Sequence, residues 1–599
     1  MKLSDFVFEF LAGAGVRHVF MLPGGGVMHL NDSLGRCPGI RYVGCLHEQA
    51  CAVAAEAYAR VADDLGVALV TTGPGGTNAI TGVAAAWQDS TPCLFISGQV
   101  KRSDLAGTSG VRQMGVQEID IVSLVKPITK YAVTVMDPAK IRHHLEKALH
   151  LAKSGRPGPV WIDVPLDVQA ADVDPGILEG FDPGADARPE GEGEPAEAAA
   201  RAIDWLNGSE RPVVLAGNGI RVAGACADFR NLVGLLGVPV LTTRLGVDLL
   251  PANHGLCFGM PGSIAARGSN FTLQNADWLL VLGARLDMAL IAYEPKRLAR
   301  GARKIMVNLD PAEMRKLGGI LDLEVCTDAG RFIREMIRQA GCVERRDRSA
   351  WLDRCRDWQA RYPFVQPKHR ENAAGISVYA FSEILAEELT GEHIVLPGNA
   401  GVACELFLTA FRVKEGQRVF HNKGTGAMGF GPPAALGAAL ASSGRHVVCI
   451  DGDGGFQMNA QELETIRRLG LPVTFFVMNN QGYSSIRVSQ SGYFGRLTGA
   501  DASSNLTLPD PLKLAGAYGL RAVRISHPGD LKEKIREVLA LPGPVVCDVM
   551  LIPDEVREPR VASYQKPDGS MASKPLEDMW PFLDREEFRA NMIVEPVEE

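Results

Sequence analysis

Short apolar runs rich in Val, Ile and Leu recur along the chain, separated by longer stretches that carry the helical period. In the first 170 residues, His18–Met21, Tyr42–Cys45, Ala68–Thr71, Leu94–Ser97 and Val160–Asp163 predict strands. Between them Ala50–Arg60 reads as an alanine-rich helix. Ser4 is placed to cap a first amphipathic helix, with Asp5 in its opening turn, where the helix dipole favours an acid. Strands separated by helices in this way predict a parallel sheet, here of five or six strands. The alternation returns through Val213–Ala216, Val240–Thr242, Trp278–Leu282 and Lys304–Val307, and again beyond residue 366. The predicted fold class is therefore α/β, with three doubly wound parallel-sheet domains at 1–170, 196–345 and 366–560. A Pro-, Gly- and acid-rich linker at 171–195 and a connector at 346–365, with the polar helix Ser349–Arg361, join them. A tail at 561–599, rich in Pro and charge, closes the chain.

The stretch Val447–Ile486 organises the rest. Its strand Val447–Ile450 ends in Asp451-Gly452-Asp453-Gly454-Gly455. Asn459 and Glu462 then read as a capping box for a helix ending at Gly470, and Val473–Met478 is a second buried strand, stopping at Asn479-Asn480. A strand–helix–strand unit of this length is a right-handed crossover with parallel strands, about 4.8 Å apart if adjacent. Asp453 and Asn480, 27 residues apart, then emerge together at the carboxyl edge of one sheet, where α/β folds place ligands. A carboxylate and an amide oxygen beside glycines suit a hard divalent cation such as Mg²⁺, with the Gly482 carbonyl as a third ligand. Either motif alone is an ordinary turn or strand end; the pair at this spacing is specific.

Composition removes several function classes. At 599 residues, 46% hydrophobic and 22% charged, the chain reads as an ordinary multidomain globular protein. A net charge of −8 gives no electrostatic footprint for nucleic acid or an anionic membrane. The twelve cysteines lack CxxC pairs or histidine spacing and predict neither zinc nor disulfides. Asp5 and Glu9 among the first apolar residues argue against a signal peptide, and no apolar run is long enough to span a membrane; a cytoplasmic location is expected.

GDG followed by NN at this interval resembles the diphosphate-binding signature of thiamine diphosphate (ThDP) enzymes, and among them the acetolactate synthase-like carboligases. The resemblance implies ThDP and Mg²⁺ as cofactors, and a 2-ketoacid donor, pyruvate above others. It implies decarboxylation, transfer of the acyl unit to a carbonyl acceptor, and a homodimer or homotetramer in which the first domain of one subunit faces the third domain of another. Glu48, in His47-Glu48-Gln49-Ala50, matches the family glutamate that bonds the aminopyrimidine ring and so activates the thiazolium carbon. Ala57 departs from the glycine often found there. Gly424-Thr425-Gly426-Ala427-Met428-Gly429, which follows the strand-like Arg418–His421, imitates a dinucleotide fingerprint, but that reading leaves Asp453 and Asn480 without a role. The resemblance instead makes Met428 the wedge that bends the cofactor and the Gly426 carbonyl the acceptor for its amine. Gly398 and Asn399, after the strand Ile394–Leu396, and Gly454 and Gly455 are further diphosphate candidates.

On the acceptor side, the turn Pro23–Gly26, with Gly25, and Gln113 and Gln117, which flank Val116 in the run RQMGVQEID, match loops that line the substrate cleft in acetolactate synthase-like enzymes. His29 and Asn31 add polar groups near the same turn. Val116 stands where such synthases usually have Phe, leaving room for a bulkier acceptor. The closing run SKPLEDMWPFLDREEF, with GYSSIR after the asparagines, resembles the ThDP enzymes that transfer an acetyl unit to a nucleotide-linked ketosugar. Acetolactate synthase, a simple 2-ketoacid decarboxylase and a scaffold without chemistry are the alternatives. In the middle domain, Gly259-Met260-Pro261-Gly262 and Gly283-Ala284-Arg285 resemble the flavin-binding domain of acetolactate synthases. The following LDMALIAY lacks its basic residues, and Asn308 replaces the first acid of its DxD. FAD or a pocket that has lost it both remain open.

Overall fold

The computed structural model describes residues 1–184, 195–372, 374–566 and 568–597. The central part of the expected linker at 171–195 falls outside these residues. Three sheets, each parallel throughout, form the body of the molecule, and two short antiparallel pairs lie between Arg560 and Trp580. The first consists of β1 (His18–Met21), β2 (Arg41–Gly44), β3 (Gly66–Val70), β4 (Cys93–Gln99), β5 (Tyr131–Thr134) and β6 (Pro159–Pro165), in the order β2-β1-β3-β4-β6-β5. The second consists of β7 (Pro212–Ala216), β8 (Val240–Thr242), β9 (Trp278–Leu282), β10 (Arg303–Asn308) and β11 (Leu323–Cys326), ordered β11-β10-β9-β7-β8. The third consists of β12 (Ile394–Pro397), β13 (Arg418–Val419), β14 (Val447–Gly452), β15 (Val473–Asn479), β16 (Arg521–Ile525) and β17 (Val545–Met550), ordered β13-β12-β14-β15-β17-β16.

Burial explains which strands the apolar pattern reveals. Every residue of β3, β4, β6, β7 and β9 is buried, so these read as continuous apolar runs. The edge strand β5 is half-buried along its whole length and leaves no such run.

The first and third domains share one apolar core, which runs from Phe20 and Phe95 through Ala54 to Ala438 and Phe475. At its centre the helix Glu48–Ala62 lies against the helix Gly431–Ala441. Small residues permit the approach: a Cβ built on Gly437 would lie 2.1 Å from the Ala54 carbonyl oxygen. Ala57 is fully buried in this helix.

The charged tail covers the middle domain. Asn270 donates to the Leu576 carbonyl at 2.8 Å, Gln274 to Glu577 at 2.7 Å, and Trp358, on the connector helix Ser349–Arg361, to Asn591 at 2.9 Å.

Three local expectations are corrected. Ser4 lies inside the helix Leu3–Gly13, is buried, and donates to the Gln169 carbonyl at 2.7 Å instead of capping. Asn459 and Glu462 form no capping box: the helix begins at Glu462, which accepts from Leu46 N and Thr465 Oγ1, both at 2.8 Å. Asn459 donates to the Gly429 carbonyl at 2.8 Å. Both are buried where the domains meet, so tertiary partners displaced the local motif. The strand expected at Arg418–His421 stops at Val419, and Asn422 beyond it donates to Asp89 at 2.9 Å.

Candidate active site

β14 and β15 are neighbours in parallel register, with Gly452 opposite Met478, so the loops after them leave the same edge of the third sheet. Asp453 heads the single turn of helix Asp453–Phe456. Its Oδ2 accepts from Gly482 N at 3.0 Å and its Oδ1 from Gly454 N at 2.9 Å. Burial pushes its carboxyl up to about 6, against the pull of those backbone donors. Asn480 is buried, and its Oδ1 has no hydrogen-bond partner among the described residues. A buried carbonyl oxygen left so is costly unless a ligand meets it. Gly482 has φ +139°, and a Cβ there would lie 2.4 Å from the Ala500 carbonyl oxygen, so only glycine fits. Arg487 fastens this turn, bonding the Asn480 carbonyl at 2.8 Å and that of Pro553 at 2.7 Å.

Asp451 lies beneath the loops, with its carboxyl pushed up to about 7 by burial. Cβ atoms on Gly398 and Gly455 would approach its Oδ1 to 2.3 and 2.9 Å, so glycine lets both loops close over the carboxylate. A Cβ on Gly454 would strike the Tyr483 ring at 2.2 Å. Asn399 donates to the Ala427 carbonyl at 2.9 Å, while its Oδ1 is buried without a partner among the described residues. Gly426 takes φ +63°, and Met428, two residues on, is 41% exposed. Two orphaned amide oxygens, a buried carboxylate and glycine-lined strand ends form a donor set that fits a divalent cation with a diphosphate.

Glu48 heads the helix Glu48–Ala62 after β2 and is 7% exposed. Its Oε2 accepts from Asn78 Nδ2 at 3.0 Å. Gln49, the next residue, lies 3.3 Å from Asn459 of the third domain. Consecutive helical side chains diverge by about 100°. Gln49 thus meets the third domain, while Glu48, about a quarter-turn round the helix, bonds Asn78 within its own first domain. No hydrogen bond joins it to Gly426, Met428, Asp453 or Asn480 among the described residues.

Among the acceptor candidates, the turn holding Gly25 and the segment holding Gln113, Val116 and Gln117 converge on Thr71–Gly73. A Cβ on Gly24 would meet Thr71 at 2.4 Å, one on Gly26 would meet Thr72 Oγ1 at 1.9 Å, and one on Gly73 the Gln117 carbonyl at 2.3 Å. Val116 is 86% exposed. His29 lies on the next helix, Met28–Arg36, half-buried, and joins no hydrogen bond or ion pair among the described residues. Asn78 escaped the sequence reading; its only signal is its place in the first turns of a helix opened by Pro74-Gly75-Gly76.

A cavity of about 400 Å³ opens at the carboxyl edge of the middle sheet. Gly219, Gly283, Arg285 and Asn308 line it, and Asp89 and Lys423 reach it from the other domains. Met260, by contrast, is buried in the core of the third domain.

The chain matches three family profiles in order: "Thiamine pyrophosphate enzyme, N-terminal TPP binding domain" over residues 1–124, "central domain" over 199–336, and "C-terminal TPP binding domain" over 399–549. It belongs to the thiamine diphosphate-dependent enzymes (thiamine pyrophosphate is the same compound). Its relatives are acetolactate synthase large subunits. It is 32% identical to the probable large subunit of Methanocaldococcus jannaschii, with 93% of each chain covered. Identity is 31% to that of Lactococcus lactis, covering 92% of this chain and 93% of the relative. For isozyme 3 of Escherichia coli it is 33%, with 90% and 92% covered. No helix among the described residues is long and apolar enough to cross a membrane.

Proposed function

We propose that this enzyme decarboxylates a 2-ketoacid and joins the resulting acyl unit to a carbonyl acceptor, with ThDP and Mg²⁺ bound at the edge of the third sheet. The observation that carries the reading is the meeting of Asp453 with the Asn480–Gly482 turn beside an orphaned amide oxygen. Asp453, Asn480 and the Gly482 carbonyl hold the cation. Gly398, Asn399, Gly454 and Gly455 receive the diphosphate, and Gly426 and Met428 the rings. ThDP, when bound, supplies the electron sink that decarboxylation needs. Glu48, kept in place by Asn78, holds the proton that the aminopyrimidine ring exchanges. Tyr42, Leu46, Met114 and Val116 are all more than half exposed in one chain. We take these exposed apolar side chains as covered by a second copy, whose Glu48 completes each site.

Pyruvate as donor and a second pyruvate as acceptor, giving acetolactate, is the reading the relatives support. A nucleotide-linked ketosugar acceptor is the second reading, favoured by the exposed Val116. The closing run adds little to it: Leu576, Glu577 and Met579 are buried, with Glu577 bonded to Gln274 of the middle domain. Mass spectrometry of products from pyruvate alone, and from pyruvate with a panel of ketones and nucleotide ketosugars, separates the readings. Acetolactate from pyruvate alone supports the first, and a ligated sugar the second. Release of aldehyde only, with every acceptor, would make the protein a simple decarboxylase. No carbon dioxide from any 2-ketoacid would sink the proposal.

The middle-domain cavity is the place for FAD. Arg285, Arg331 and Lys423 put cations around it, which fits a dinucleotide diphosphate; Arg331 and Lys423 have no ion-pair partner among the described residues. Flavin redox chemistry is not required by a decarboxylating ligation, so no step passes through it. The visible absorbance spectrum of the purified protein tests its presence.

A further inference from the structure

The first domain sends a second carboxylate into the third. Asp89 ends the helix Pro74–Asp89, the same helix that carries Asn78, and its side chain is fully buried. Its Oδ2 accepts from Arg60 Nη2 at 2.9 Å, Asn422 Nδ2 at 2.9 Å and Lys423 N at 2.8 Å, and its Oδ1 from Gly424 N at 2.9 Å. Arg285 Nη2 stands 3.9 Å from Oδ1. Three of the four hydrogen bonds thus go to consecutive residues, 422 to 424, at the start of the loop that leads to Gly426 and Met428.

The grip is passed along that loop. Asn422 Oδ1 accepts from Gly426 N at 3.1 Å. Asn399 then holds the Ala427 carbonyl and Asn459 the Gly429 carbonyl, at 2.9 and 2.8 Å. A Cβ on Gly424 would lie 2.5 Å from Gln88 Cβ, so the loop sits directly on the helix end. Arg60 already has Glu56 as a partner at 2.5 Å, so Asp89 is not needed merely to neutralise it. What needs Asp89 is the run of backbone and amide N–H groups, which require an acceptor on both carboxylate oxygens. An asparagine offers one acceptor and turns an NH₂ group against the remaining donors.

We propose that Asp89 is a positioning residue for the cofactor: through Asn422 it fixes the 422–426 turn so that Gly426 and Met428 meet the aminopyrimidine ring in the productive pose. This rests on the ThDP reading of the third domain. It gives the helix Pro74–Asp89 two tasks, holding Glu48 near one end and the ring-binding loop at the other.

The test is Asp89→Asn in the full-length protein. Three quantities are read: thermal unfolding without cofactor, ThDP–Mg²⁺ affinity by calorimetry, and hydrogen–deuterium exchange at the thiazolium C2 of bound ThDP by NMR. C2 exchange reports ring activation, which a purely structural role would leave alone once ThDP is bound. The dissociation constant is expected to rise roughly tenfold with the loss of charged hydrogen bonds. C2 exchange at saturating ThDP should slow by about 10²-fold, the effect of a misplacement near 1 Å, while the melting temperature moves by only a few degrees. If Asp89→Asn does not fold, Asn422→Ser, which keeps the Arg60–Asp89 pair, is read in the same way. Wild-type exchange in the folded variant overturns the proposal. A wild-type protein that binds no ThDP would overturn the cofactor reading, and this proposal with it. Tight binding with unaltered exchange removes this proposal alone.

Discussion

Asn78 donates its side-chain amide to Glu48 Oε2 at 3.0 Å, joining the amino-terminal turns of two adjacent helices. Glu48 stands at a helix amino terminus, 7% exposed, with one described partner that neutralises nothing and only aims it.

Glu48→Gln keeps the shape and removes the exchangeable carboxyl proton. We expect turnover to fall by about 10²- to 10⁴-fold, the range of a lost general acid–base, while ThDP still binds. Asn78→Ala should lower turnover less, by roughly tenfold, with a stability change near 1 kcal/mol for one hydrogen bond. Steady-state kinetics with parallel calorimetry checks both. Full activity in Glu48→Gln would defeat the assignment.

Burial holds Asp453 up to about 6, above the ordinary 3.8. A cation at this site must displace the proton, so binding and deprotonation are linked. Above about pH 7 the group is ionised and Mg²⁺–ThDP affinity should be level. Below about pH 6 affinity should fall by up to tenfold per unit, with one proton released per cation bound. Calorimetry in two buffers of different ionisation enthalpy counts that proton. An affinity flat from pH 5 to 8 would remove Asp453 from the cation.

Gly437 and Gly516 are both helical glycines, yet they predict opposite outcomes. A Cβ on Gly437 would lie 2.1 Å from the Ala54 carbonyl oxygen, so Gly437→Ala must push the two central helices apart. Overpacking of this kind costs about 1–3 kcal/mol. Around Gly516, in the helix Pro511–Ala517, nothing lies within 4 Å, so Gly516→Ala should stabilise by about 0.4–1 kcal/mol. Thermal melts of both variants decide it.

The same helix contact marks the limit of sequence reading. The parallel order of β14 and β15 was legible because both strands are buried continuously and the crossover has one hand. The emergence of Asp453 and Asn480 at one edge of the sheet followed from that geometry. Asn78, Asp89 and Asn459 were not legible, because each bonds a residue at least 30 positions away. Nothing local distinguishes them from any polar helical residue. Ser4, Asn459 and Glu462 looked like caps because local rules assume solvent, and in this fold each meets another element instead.

Glu48 and Asp453 belong to one chain but, on the proposed assembly, to different active sites. Gln49 turns toward Asn459 of its own third domain while Glu48 turns toward Asn78. The Glu48 carboxylate is therefore held within its own first domain, 7% exposed, while Met428 is 41% exposed in one chain. Co-expression of Glu48→Gln with Asp453→Asn separates this arrangement from a self-contained site. Each variant alone is expected to be inactive. In a two-fold dimer that pairs Glu48 of one chain with Asp453 of the other, a mixed dimer combines both defects in one site and leaves the second site wild type. Random assortment makes half the dimers mixed, so about a quarter of wild-type activity should return. If each chain builds its own site, every site carries one defect and no activity returns. Activity of the mixture, with mixed dimers isolated through two different tags, reads out which of the two holds.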